Sequence, residues 1–88
     1  MKVKKAIIKA YYGLDGEYIP FDSNPLHNTS YENVSVTIKQ VTKTIYGIDL
    51  DMDVVEISGQ EPIECELVGT YQDSGSGTLI IKICQDWG

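Results

Sequence analysis

The chain of 88 residues carries seven lysines, no arginine and thirteen acids, for a formal net charge of −6, and 42% of it is hydrophobic. That length suits one small domain and leaves little room for a second core. The charge balance argues against nucleic-acid binding, because neutralising phosphates requires clustered cations, and the apolar share argues against disorder.

The N-terminal stretch begins with lysines, but Lys9 interrupts its apolar run after Ala6, Ile7 and Ile8. We therefore expect no secretion signal, no membrane association and a cytoplasmic location. From Lys5 to Tyr12 the residues alternate, with Ala6, Ile8, Ala10 and Tyr12 on one side, as in a half-buried strand. Asp15-Gly16 suits the positive φ angles of a type I′ turn. Pairing Leu14 with Glu17 across that turn sets Tyr12 against Ile19, Ala10 against Phe21 and Lys9 against Asp22, which matches apolar and charged partners.

Asp22 to Asn33 reads as a polar surface loop, and its two glycosylation-like triplets, at Asn28 and Asn33, read as chance matches. The next segment carries two periods. Val34, Val36 and Ile38 alternate like a strand, while Val34, Ile38, Val41 and Ile45 fall at helical spacing behind a capping box of Thr29 and Glu32. Eight of the thirteen residues from Val34 to Tyr46 are β-branched, which favours strand; the alternative is an α+β fold with a helix at 30–46 packed on an antiparallel sheet.

Ile48, Leu50, Met52 and Val54 alternate with Asp49, Asp51 and Asp53, so this strand is expected to bury its apolar row and expose the aspartates. Val54-Val55 breaks the alternation and suggests a bulge. Ser58 to Pro62 is a turn, Ile63 to Tyr71 a strand, Gln72 to Gly77 a second turn and Thr78 to Cys84 a last strand, apolar on both faces except for Lys82. Pairing Leu67 with Ile81 and Cys65 with Ile83 sets Glu66 opposite Lys82. It puts Cys65 and Cys84 on opposite faces, so a disulfide is disfavoured. The expected fold is all-β: a small antiparallel β-sandwich or partly open barrel of about six strands.

Charge carries the functional reading. Residues 1–44 hold six lysines and four acids, residues 45–88 one lysine and nine acids. Asp49, Asp51, Asp53, Glu64 and Glu66 are the candidate partner-binding residues, an acidic face that would meet a basic protein surface. Asp49-x-Asp51-x-Asp53 imitates the start of a calcium loop, but Val54 stands where glycine is needed and Gln60 where a bidentate glutamate belongs, so no metal and no cofactor is expected. His27, the only histidine, reads as a solvated loop residue and not a catalytic base. Cys65 and Cys84 read as buried, unreactive thiols. Tyr18, Tyr31, Tyr46 and Trp87 cannot all fit so small a core, and exposed aromatics of this kind are enriched at interfaces; Trp87, one residue from the end, reads as clipping the last strand down.

The leading reading is a non-enzymatic interaction module, acting as an inhibitor or as an immunity or anti-defence protein. The alternatives are a structural subunit of a larger assembly, such as a viral (phage) particle, with homo-oligomer contacts through strand edges, and a small-ligand-binding domain that uses the Asp22–Asn33 loop.

Overall fold

The structure, a computed structural model, describes residues 1–85, so Trp87 lies outside the described residues. Six strands follow one another: β1 (Lys2–Leu14), β2 (Glu17–Pro20), β3 (Ser30–Ile45), β4 (Ile48–Ile57), β5 (Ile63–Asp73) and β6 (Thr78–Cys84). The described residues contain no helix, and the β-branched run that competed with helical spacing lies within the 16-residue β3. Branching at Cβ settles the contest because it costs side-chain freedom in a helix and packs well on a pleated surface.

β1, β3, β4, β5 and β6 close into a five-stranded barrel, and β2 is an added strand on the edge of β1. Each sequential pairing is antiparallel, but the closing pair, β1 with β6, is parallel, from Lys5 beside Thr78 to Tyr11 beside Cys84. An odd number of strands that run alternately up and down must close this way, since the first and last then point in the same direction. The core is made of Val3, Ala6, Ile8, Ala10, Val34, Val36, Val55, Ile57, Ile63, Cys65, Leu79, Ile81 and Ile83.

The first hairpin has the register read from the sequence, with Tyr12 opposite Ile19 and Leu14 opposite Glu17. Asp15 and Gly16 have φ of 52° and 80°, as a type I′ turn requires. The expected Lys9–Asp22 pair does not form: the Lys9 ammonium meets Asn28, and Asp22 turns to His27.

The final hairpin differs from the sequence register by two residues on one side of a bulge and by three on the other. Leu67 pairs with Ile83 and Glu66 with Cys84, then a bulge at Val68 shifts the register so that Gly69 pairs with Lys82. The cysteines still face opposite ways, Cys65 into the core and Cys84 out of it, and both thiols are free. No bulge interrupts β4 at Val54-Val55, where the pairing with β3 runs unbroken from Val36–Ile57 to Ile45–Ile48. A matched kink occurs instead between β1 and β3. Asn33 adopts a φ of 53°, and the inward positions step from Tyr31 to Val34 on β3 and from Ala6 to Val3 on β1.

The loop from 21 to 29 plugs one side of the barrel and is not a free surface loop. Phe21 and Leu26 pack on the core, and Phe21 meets Tyr12 edge to face at 5.6 Å. The loop backbone also continues the pairing of the β1 edge between β2 and β3. Phe21 N donates to Ala10 O, Asn28 N donates to Ile8 O, and Ile8 N donates to Thr29 O. The remaining rung is a side chain, since the Ala10 N–H donates to Nδ1 of His27 at 3.0 Å. His27 is therefore not solvated: its side chain is only 9% exposed, with Nε2 3.3 Å from Asp22. An unpaired strand N–H beside the core is costly, and the imidazole supplies the missing acceptor.

Candidate functional site

Directly opposed residues on neighbouring strands share a face, so the registers of β3, β4 and β5 assign every candidate acid to a side. Within the barrel the inward row of the β3–β4 pair is Val36, Ile38, Val55 and Ile57, continued on β5 by Ile63 and Cys65. Asp53 lies opposite both Gln40 and Cys65, and Asp51 and Asp49 follow opposite Thr42 and Thr44. The aspartates thus occupy the extension of the core row and not the outward row expected from alternation.

Asp49 and Asp51 stay in water, and Asp53 is only half-buried, because β3 and β4 outrun the barrel. β5 pairs with β4 only from Asp53 to Val55, and β1 pairs with β3 only up to its Ser35. Beyond that level the two strands pair only with each other as far as the Tyr46-Gly47 turn, giving an arm about 17 Å long at the rise of a strand. The elongated outline, 43 × 25 × 20 Å, fits such a projection.

At the base of the arm the polarity of the sheet inverts. In the barrel the inward row is apolar and the outward row, Thr37 with Glu56, is polar. In the arm the inward row is Gln40, Thr42, Thr44, Asp49, Asp51 and Asp53, and the outward row is Val41, Lys43, Ile45, Ile48, Leu50 and Met52. Val54 and Val55 are both buried where the inversion occurs, which is what the broken alternation in the sequence records.

The two faces differ in how their charges are satisfied. On the inward face the Thr42 hydroxyl donates to Asp51 at 2.8 Å and the Thr44 hydroxyl to Asp49 at 2.6 Å. Asp53 accepts the Leu67 N–H at 2.7 Å and so ties the arm to β5. Among the described residues no lysine bridges any of these three aspartates. The glutamates lie elsewhere. Glu64 is opposite Val54 on the outward side and pairs with Lys43 at 2.6 Å, while Glu56 pairs with Lys39 at 2.8 Å. Because Lys43 sits opposite Leu50 and Glu64 opposite Val54, their ion pair spans the row of Met52, which is 8% exposed.

Glu66 belongs to a third place, beside Cys84, where it accepts the Tyr18 hydroxyl at 3.0 Å. That hydrogen bond, followed by the Glu66 charge, raises the Tyr18 phenol above its ordinary pKa. The five candidate acids are therefore not one surface: Asp49, Asp51 and Asp53 are brought together, and Glu64 and Glu66 are not.

The other candidates are structural in their surroundings. Burial, with Asp53 and Cys84 nearby, pushes the Cys65 thiol up to about 12. Cys84 lines an open cleft of about 420 Å³ beneath the β1–β2 turn with Leu14, Tyr18 and Glu66. Tyr31 packs against the core, whereas Tyr46 is 99% exposed. Tyr71, not singled out from the sequence, is also exposed. Among the described residues no group of three or more His, Cys, Asp or Glu side chains is placed to hold a metal ion. No helix of the described residues is long and apolar enough to cross a membrane. Comparison with known proteins finds no matching family model, no matching curated protein and no matching solved structure.

Proposed function

We propose that the protein is a non-enzymatic interaction module that presents the aspartate face of its β3–β4 arm to a basic protein surface. The observation that carries this reading is the row of Asp49, Asp51 and Asp53 on one face of a projecting arm, hydrogen-bonded by threonines and free of lysine bridges among the described residues. Asp53 is engaged by the backbone of β5, so Asp49 and Asp51 are the groups offered to a partner. Threonine hydroxyls orient these carboxylates without neutralising them, and the uncompensated negative potential steers a cationic partner and raises its encounter rate. Occupying a cationic site on another protein, as an inhibitor or an immunity-type protein does, is the class of action that fits, with the cytoplasm as its setting.

The experiment is capture of the partner by the tagged chain from its native lysate, compared between the wild type, the Asp49→Lys/Asp51→Lys pair and Glu64→Lys. The reading expects the captured protein to be basic, to be released by raised salt, to be lost with the aspartate pair and to be retained with Glu64→Lys. Capture that survives reversal of both aspartates refutes it.

A further inference from the structure

We propose that the outward face of the same arm docks on its counterpart in a second copy of this chain, so that two arms stack as the layers of a small β-sandwich. The proposal goes beyond the aspartate reading and stands on the other side of the sheet. Ile45, Ile48 and Leu50 are 41%, 62% and 45% exposed and share that face with Val41 and Met52. A sheet with one apolar face buries it against another layer. The barrel supplies that layer for the inward row up to Ile38 and Val55; on the outward face of the arm Met52 is covered where the Lys43–Glu64 pair spans its row, and Ile45, Ile48 and Leu50 stay exposed.

A second copy is the occupant that the charges favour. The chain as a whole is at −6, so two molecules repel through most of their surfaces. On the outward face the charged groups are Lys39 with Glu56 and Lys43 with Glu64, each lysine already bridged to its glutamate. Two such faces can meet without placing like charges together, and the aspartates then point away from the contact on both sides. A strongly charged partner of either sign would gain nothing on this neutral face.

The size is also suitable. With Tyr46 at the tip, the exposed apolar side chains offer on the order of 500 Å² per copy, so a symmetric pair buries about 1,000 Å², the lower bound for a specific interface. Sheets stacked face to face sit about 10 Å apart, a distance that Ile and Leu side chains from both layers fill. Tyr46 adds an independent sign. It occupies the first central position of a two-residue turn with Gly47, at φ values of 53° and 76°, where asparagine or aspartate is the easy choice. A bulky aromatic held in the left-handed region and fully exposed breaks the local rule at the place where a contact would use it.

The test is sedimentation velocity of the purified chain from micromolar to near-millimolar concentration. The expected result is a monomer–dimer equilibrium whose dissociation constant rises at least tenfold in Ile48→Glu/Leu50→Glu. Because both side chains are exposed, that variant should keep the wild-type melting temperature at dilute concentration, which separates lost docking from lost folding. Asp49→Asn/Asp51→Asn should dimerise at least as well as the wild type, so failure of the aspartate reading and failure of this one are distinguishable. A monomer across the whole range overturns the proposal, as does a dimer indifferent to Ile48→Glu/Leu50→Glu. Binding of the arm to neutral phosphatidylcholine vesicles by a chain that does not self-associate would also overturn it, in favour of a lipid surface.

Discussion

Replacing His27 tests whether a side chain completes the edge of β1. Ala10 is fully buried, and its N–H has Nδ1 of His27 as its acceptor at 3.0 Å. An imidazole that accepts at Nδ1 carries its proton on Nε2, the nitrogen 3.3 Å from Asp22. His27→Leu keeps bulk in the loop and removes the acceptor, which leaves a buried donor unsatisfied at a cost of about 1–3 kcal/mol. For a domain of this size each kcal/mol lowers the melting temperature by about 4–8 °C, so the fall should be on the order of 10 °C. His27→Asn places an amide oxygen near the former Nδ1 position and should recover at least half of the loss.

Thermal unfolding followed by circular dichroism reads both variants. Amide exchange at Ala10 locates the effect, since this N–H should lose protection in His27→Leu before its neighbours in β1 do. A leucine variant as stable as the wild type would falsify the rung. Equal destabilisation by leucine and asparagine would assign the effect to packing under the loop. Asp22 is 88% exposed, so Asp22→Asn should change stability by less than about 0.5 kcal/mol.

Other outcomes follow from individual residues. Tyr46→Asn relieves a left-handed tyrosine in a type I′ turn and should stabilise the monomer by a few tenths of a kcal/mol in urea unfolding while weakening self-association. Gly77→Ala should cost about 1–2 kcal/mol, because Gly77 has φ of 72° and a Cβ there would lie 2.9–3.1 Å from the Lys4 side chain. Lys43→Met should alter stability by less than about 1 kcal/mol, since both partners of its ion pair are near half exposed. Cys65 holds its proton in the folded chain up to about 12, against 9.0 for an ordinary exposed thiol. The unfolded chain therefore releases that proton first, so the thiol's contribution to stability is complete below about pH 9 and is lost as pH rises toward 12. Iodoacetamide at mildly alkaline pH should accordingly modify Cys65 only after unfolding, as peptide mapping would reveal.

Much of the fold could be read from local chemistry. Alternation in β1, the Asp15-Gly16 turn and the register it imposes are short-range effects, decided within a few residues of one another. The strand at β3 needed one further consideration, the density of β-branched residues, to prevail over helical spacing. What could not be read depends on residues far apart. The bulge at Val68 shifts the β5–β6 register by placing a residue that has no composition signature, flanked by Leu67 and Gly69. The rung from His27 to Ala10 joins positions seventeen residues apart, and a lone histidine in a polar segment gives no hint of it. The parallel closure of β1 on β6 follows from the strand count, which becomes usable only once β2 is known to stand outside the barrel.

The candidate site shows the same division in a sharper form. Alternation correctly separates Ile48, Leu50 and Met52 from Asp49, Asp51 and Asp53, because a period of two is a property of the backbone. It does not say which row faces the barrel. Burying the apolar row is the natural assumption, and it holds for a strand inside the barrel but reverses for a strand that has left it. The reversal is written in the sequence at neighbouring places: the polar doublet Lys39-Gln40 on β3 and the apolar doublet Val54-Val55 on β4, which overlap in the register at Lys39 opposite Val54. A bulge would break the alternation on one strand only and leave the pairing uneven. A change of phase on both strands at one level, with the pairing unbroken, marks the rim of a barrel and the start of a projecting arm. Residues past such a rim are free of the demands of the core, so an outward row that is apolar except for Lys43 suits the self-docking proposed above, with Asp49 and Asp51 on the opposite face.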